Sequence, residues 1–256
     1  MRHCWFSLLV FILFSQPIAA KEVIRIANGG WAPYTGEDLP DKGIFSYIVT
    51  EAFRRAGLEV EYEFFPWTRA YHYAKTGERD GTIPWKWAKE RAQFFYFSEP
   101  IMSYSYNFYH LKEKTIQWEQ LSDLKMYSIA ATKGYNYGED FHKAEREKII
   151  NVSRLVFELP DMLKLLINKR MDIIVASHHV AEFALYRNFT KEERALVTFD
   201  PKVLDTGGLR VLLSIKIPEN KTRIKLLDEQ IIKMRQQGEI KEIVQKKLRG
   251  EFHIKH

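Results

Sequence analysis

The chain has 256 residues and a single cysteine, Cys4, which falls inside an apolar leader. The chain beyond the leader therefore has no disulfides, thiol nucleophiles or cysteine-ligated zinc. A formal charge of +6 is carried by basic residues that sit beside acidic ones, as at residues 143–148 and 191–194, which reads as a solvated surface and argues against nucleic acid as a partner.

Residues 1–20 have the layout of a secretory signal. Arg2 supplies a positive start, residues 5–14 are apolar apart from Ser7, and Pro17, Ala19 and Ala20 suit cleavage before Lys21. An apolar run of about ten residues is half the ~20 that a spanning helix requires, and no later stretch approaches that length. The expectation is an exported protein that works in the periplasm.

Residues 23–27 read as a buried strand bounded by Asn28, Gly29 and Gly30. Phe45, Ile48, Val49, Ala52 and Phe53 recur at helical spacing, with Gly57 as a stop. Residues 60–65 make an alternating strand of β-branched and aromatic side chains. Pro66 opens a short helix that ends before Gly77, and residues 81–83 form a third strand. This β-α-β-α-β order argues a parallel sheet with covering helices.

The order returns after residue 125. A strand at 127–131 leads through a glycine-flanked loop to a helix starting near Glu139, then come a strand at 151–157 and a helix at 160–168. An apolar strand at 171–176, a helix at 178–187 and a short strand at 196–199 follow. Residues 103–110 and 208–216 are β-rich and suit strands that pass between two lobes. Two amphipathic helices end the chain, one marked by Ile224, Leu227, Ile231 and Met234, the next by Ile240, Ile243, Val244 and Leu248. The expected architecture is α/β and two-lobed, with lobe 1 at 21–104 plus 213–256 and lobe 2 at 105–212. Two crossover strands make the hinge, and the cleft between lobes is the natural ligand site.

Four segments in order carry a family likeness: VIRIANGGWAPY at 23–34, residues 80–100 with Arg91, Phe97, Ser98 and Pro100, KRMDIIVA at 169–176, and QQGEIKEIVQKKL at 236–248. Together they resemble the family-3 extracellular solute-binding proteins, which have the type II periplasmic-binding-protein fold used by ABC uptake systems for polar amino acids. Residues 66–70 and Pro84-Trp85 are similar to a branch whose members often stand alone.

The resemblance implies that Arg91 clamps a ligand carboxylate, since a guanidinium presents a planar fork that fits two oxygens. It makes Trp31, Tyr34, Trp67 and Trp85, with Trp87, candidate walls of the cleft. Gly134, Tyr135 and Asn136 lie in a loop between strand and helix where backbone N–H groups could meet an anion. Ser177 stands where the family has an aspartate that pairs with the α-ammonium of an amino acid, and a neutral hydroxyl does not balance that charge. Arg69 and Lys86 are candidates to add positive charge to the cleft. The expected ligand is a small polar or acidic solute, amino-acid-like or a carboxylate, captured by hinge closure. An ABC permease or a membrane receptor is the expected partner of a monomeric chain.

Two other functions fit the same fold. One is a dehydratase-like enzyme using Glu99 or Glu182, and the other is a sensory protein that presents its ligand to a receptor. GxSxG, HExxH and CxxC are all missing from the sequence, and His178, His179 and Glu182 have only a loose metal-like spacing. No catalytic residue, metal or cofactor is expected.

Overall fold

The computed structural model describes residues 22–252; the leader, with Cys4 and the expected cleavage point, lies outside them. The chain starts with β1 (Val23–Asn28), α1 (Ile44–Arg55), β2 (Glu59–Phe64), α2 (Trp67–Thr76) and β3 (Gly81–Lys86). α1 forms where apolar residues recur on one face, and it buries Ile44, Phe45, Ile48, Val49, Ala52 and Phe53. β1 is the centre of this first group and runs parallel to both β2 and β3.

Next come β4 (Phe95–Phe97) and the ten-residue β5 (Met102–Leu111). β6 (Ser128–Thr132), α3 (Glu139–Arg146), β7 (Asn151–Leu155), α4 (Leu159–Ile167) and β8 (Ile173–Ser177) then repeat the first plan, with β6 parallel to both β7 and β8. All five residues of β8 are buried, as its continuous apolar run requires. α5 (His178–Asn188), α6 (Lys191–Leu196), β9 (Val197–Phe199), the ten-residue β10 (Asp205–Ser214), α7 (Asn220–Gln236) and α8 (Glu239–Phe252) complete the described chain. α7 buries the stripe of Ile224, Leu227, Ile231 and Met234.

The strands share one sheet in the order β2-β1-β3-β10-β5-β8-β6-β7, with β4 beside β10 and β9 beside β5. β5 and β10 join the two parallel groups. Residues 102–106 of β5 pair with β10 and residues 106–109 pair with β8. β10 pairs with β5 as far as Leu209 and with β3 from there to Leu213.

Matching carboxylates lock the two groups. In the first, Asp80 Oδ2 accepts the backbone N–H of Arg25 at 2.8 Å, at the start of β1. In the second, Asp172 Oδ2 accepts the backbone N–H of Ser128 at 2.8 Å, at the start of β6. Each also takes a cation: Arg223 of α7 at 2.6 Å for Asp80, and Lys114 for Asp172. Asn28 does related work at the other end of β1, where its Oδ1 accepts the N–H of Ile83 at 3.1 Å. The β1–β3 ladder is registered only at Ile26 and Gly81, so this side chain stands in for a ladder bond where the strands part.

Removing the Asp80 carboxylate leaves the nearly buried Arg223 with one carboxylate, Glu22, and the Asn220 side-chain oxygen. Asp80→Ala is expected to lower unfolding free energy by about 3 kcal/mol, read from urea denaturation. Asp172→Ala should cost about half as much, because its Lys114 partner is 42% exposed. Equal losses would mean that the backbone bonds, and not the ion pairs, set the energetics.

Candidate functional site

Five loops leave the C-terminal ends of parallel strands, and they meet around one cavity of about 900 Å³. Ligands of open α/β sheets bind at such strand ends. The first group contributes residues 30–32 and 35–39 after β1 and Trp67 after β2. The second contributes residues 132, 133, 135 and 137 after β6, residues 156–160 after β7, and Ser177 with the first turns of α5 after β8.

Of the residues expected from sequence, Trp31, Trp67, Tyr135 and Ser177 line this cavity. Trp67 lies on the backbone of Gly29, where a Cβ would come within 2.3 Å of the indole, and its Nε1 donates to Gly30 O at 3.2 Å. Ser177 is 3% exposed, and its Oγ has no hydrogen-bond partner. Although Ser177 is the N-cap residue of α5, its side chain caps nothing. Burial pushes the Tyr34 phenol up to about 12 while Ser177 acts in the opposite sense; the two hydroxyls do not meet hydrogen-bond geometry, so Ser177 Oγ stays unpaired.

The other expected residues lie outside the lining. Arg91 does not reach the cavity: its Nη1 donates to the carbonyl of Lys86 at 3.0 Å, and its guanidinium lies 4.8 Å from the Trp85 ring. Trp85 stands behind Trp67, edge to face at 5.4 Å, and donates its Nε1 to Thr82 Oγ1. Tyr34 packs under Trp31 at 4.7 Å and is hydrogen-bonded to His179 Nδ1 at 3.1 Å. Arg69 is exposed on α2, and Trp87 is 59% exposed.

Lys86 is engaged by protein partners. Its Nζ lies 2.8 Å from Asp205 Oδ2 and 2.9 Å from the Asn136 carbonyl, over the rings of Tyr104 and Tyr106. Burial lowers its pKa, and the Asp205 carboxylate opposes that shift. The contacts Lys86–Asn136 and Tyr34–His179 both connect the first strand group to the second across the rim.

The loop of Gly134, Tyr135 and Asn136 engages part of its backbone: Thr132 N donates to Tyr137 Oη, Lys133 N to Leu155 O, Tyr135 N to Thr132 O, Tyr137 N to His142 Nε2 and Gly138 N to Asn136 Oδ1, while the N–H groups of Gly134 and Asn136 stay outside these bonds. Arg154 holds the loop from below, donating to the carbonyls of Thr132 and Tyr135.

Sequence reasoning passed over Thr35, Glu37, Asp38, Tyr106 and Glu158 in the lining. The strand-end rule, applied to β7 as well as to β1 and β3, points to Glu158. The wall tyrosines are neutral hydroxyls at physiological pH, since burial pushes Tyr135 up to about 12 and raises Tyr106 and Tyr137 as well.

The model of the bacterial extracellular solute-binding proteins, family 3, matches residues 23–249. No curated protein matches the chain in sequence. Among solved structures, it is similar to the amino acid ABC transporter substrate-binding protein AbpA of Streptococcus pneumoniae, bound to L-arginine, at 15% identity and a TM-score of 0.69, covering 90% of this chain and 96% of that one. It is also similar to the GluR0 ligand-binding core of Nostoc punctiforme in complex with L-glutamate, at 18% identity and a TM-score of 0.66, covering 87% and 98%. A histidine kinase sensor domain with similarity to periplasmic binding proteins matches at 16% identity and a TM-score of 0.69, over 88% and 96%. These likenesses establish the type II periplasmic-binding-protein fold. Among the described residues, no helix is long and apolar enough to cross a membrane.

Two outcomes are expected from this geometry. Gly29→Ala should displace the Trp67 indole and shift its fluorescence, since no rotamer change in alanine relieves the contact; an unshifted spectrum would contradict the seating. His179 carries a pH dependence. Burial first, and His178 second, hold its imidazole below the ordinary value of 6.5, while the groups facing it are Tyr34 and His178. Below about 6.5 the unfolded chain therefore binds more protons than the folded one. The stability due to neutral His179 is complete above that value and is lost as pH falls toward the folded pKa. His179→Asn should flatten the decline in melting temperature between about pH 7 and about pH 5; an unchanged slope would exclude His179 as its source.

Proposed function

This chain belongs to the bacterial extracellular solute-binding proteins, family 3, and we propose that it captures a small amino-acid-like solute in the strand-end cavity, by closure of two lobes. The observation that carries this reading is the cavity itself, walled from both strand groups and bridged at its rim by Tyr34–His179 and Lys86–Asn136. The lobes are residues 21–104 with 213–256, and residues 105–212. Their hinge is at β5 and β10, where the two groups share strands. Arginine- and glutamate-bound proteins of similar fold support an amino-acid-like ligand.

In this reading Trp31, Trp67, Tyr135 and Ser177 touch the solute. Arg91, Trp85 and Tyr34 support that wall from behind, while Lys86, Gly134 and Asn136 shape the closed rim, and Arg69 lies at the outer edge. Residues 1–20 direct export to the periplasm, and the loaded monomer meets an ABC permease or a membrane receptor. Among the lining side chains, the hydroxyls of Thr35, Thr132 and Ser177 are not hydrogen-bonded to a base. Thr35 Oγ1 donates to Gly29 O, Thr132 Oγ1 to Met162 Sδ, and Ser177 Oγ has no partner.

A thermal-shift screen of amino acids, amines and small carboxylates tests the reading. A ligand at about 100 times its Kd adds about 2.7 kcal/mol of stability, and X-ray scattering should show a smaller radius of gyration in its presence. A hit that leaves the radius unchanged would sink the closure reading. Trp67→Ala should weaken the bound hit by about 1–3 kcal/mol. Arg91→Ala should change affinity less than tenfold; a larger loss would return Arg91 to direct contact.

A further inference from the structure

We propose that the solute is an organic cation: an amine or guanidinium on a bulky aromatic or alkyl body, held without a carboxylate clamp. This rests on the solute-capture reading and names the chemistry of the same cavity. Three carboxylates line the cavity, Glu37, Asp38 and Glu158, against one ammonium, Lys133. All three are exposed at its mouth and none forms an ion pair among the described residues, so they give the mouth a negative potential that salt screens.

The groups that would hold an anion are committed elsewhere. Arg91 is bonded to the Lys86 carbonyl and stacked on Trp85, outside the lining. Lys86 is neutralised by Asp205. In the loop after β6 the N–H groups of Thr132, Lys133, Tyr135, Tyr137 and Gly138 are engaged within the protein, which leaves only those of Gly134 and Asn136 to meet a ligand. Both ends of a zwitterionic amino acid thus lack their expected anchors, since Ser177 also brings no charge for an α-ammonium.

What the cavity does offer suits a cation. Trp31, Trp67 and Tyr135 line it, beside Tyr106 and Tyr137 whose rings already carry Lys86 and Arg154, and aromatic faces attract an ammonium or guanidinium placed within about 6 Å. Ser177 Oγ, 3% exposed and without a partner, is an acceptor for one N–H of such a group. A volume of about 900 Å³ leaves room for a cationic end carrying a body larger than a small amino acid.

Isothermal titration of the purified protein with matched pairs tests this: agmatine against arginine, phenethylamine against phenylalanine, and glutarate as the anionic control. At least one amine should bind at least tenfold tighter than its carboxylate-bearing parent. Its affinity should fall fivefold or more in the double variant Asp38→Asn, Glu158→Gln, and fall again as salt is raised. Parents that bind as tightly as their amines, or glutarate binding while no amine binds, would overturn the inference and leave solute capture standing. If none of the five binds, the inference is overturned. Solute capture fails with it only if the other amino acids and small carboxylates of the thermal-shift screen also leave the melting temperature unmoved.

Discussion

β5 and β10 each divide their ladder between the two strand groups, and the rest of the molecule depends on that division. A strand in a sheet must satisfy its backbone donors and acceptors on both sides. Here the pairing changes partner midway: at Tyr106 β5 turns from β10 toward β8, and at Leu209 β10 turns from β5 toward β3. The two parallel groups are therefore tied by backbone hydrogen bonds, not by a free linker. Relative motion is limited to twisting and bending of two strands. The C-terminal ends of both parallel groups open toward the same space, and a cavity results from topology before any side chain is considered.

Charge at this junction explains much of the site's chemistry. Asp205 opens β10 opposite Tyr106 and accepts from both Lys86 and the Tyr104 hydroxyl. A half-buried lysine without that carboxylate would be costly in its charged form. Once paired, it contributes little field to the cavity beside it. A similar commitment occurs in the aromatic stack. Arg91 on Trp85, Trp85 on Trp67 and Trp67 on Gly29 form one continuous support, so a guanidinium that sequence places near the ligand becomes part of the wall's backing. The cavity keeps rings and carboxylates, while its cations are used in packing.

Local signals were the legible part of the sequence. Apolar periodicity placed α1 and α7 with their buried faces, and the repeated strand-helix order identified two parallel groups. Two short elements escaped. α6 begins with a reciprocal capping box, Thr190 with Glu193, in a stretch whose charges read as a solvated surface, and the three-residue β4 is too short for alternation to register. The site was legible where a loop succeeds a strand, as for Trp31 and Ser177. It was not legible where a side chain's direction decides. Lys86 and Asp205 are 119 positions apart, and nothing local reveals that they pair. Arg91 sits in a family-like segment, but a motif fixes its place in the chain and not which neighbour takes its guanidinium.

The balance at Ser177 connects this structure to motion. A buried hydroxyl with no partner costs on the order of 1–3 kcal/mol. The rim contacts offset such a cost: Tyr34 with His179, and Lys86 with the Asn136 carbonyl. Each is a single polar contact, worth about 1 kcal/mol net, or somewhat more where charge assists. On the proposed closure, opposing terms of this size would keep the closed and open arrangements within a few kcal/mol of each other. A solute that gives Ser177 a partner and fills the aromatic wall interacts with the closed arrangement alone, and only such differential affinity moves the equilibrium. In the proposed mechanism, the unsatisfied hydroxyl at the start of α5 is what makes closure conditional on the solute that enters.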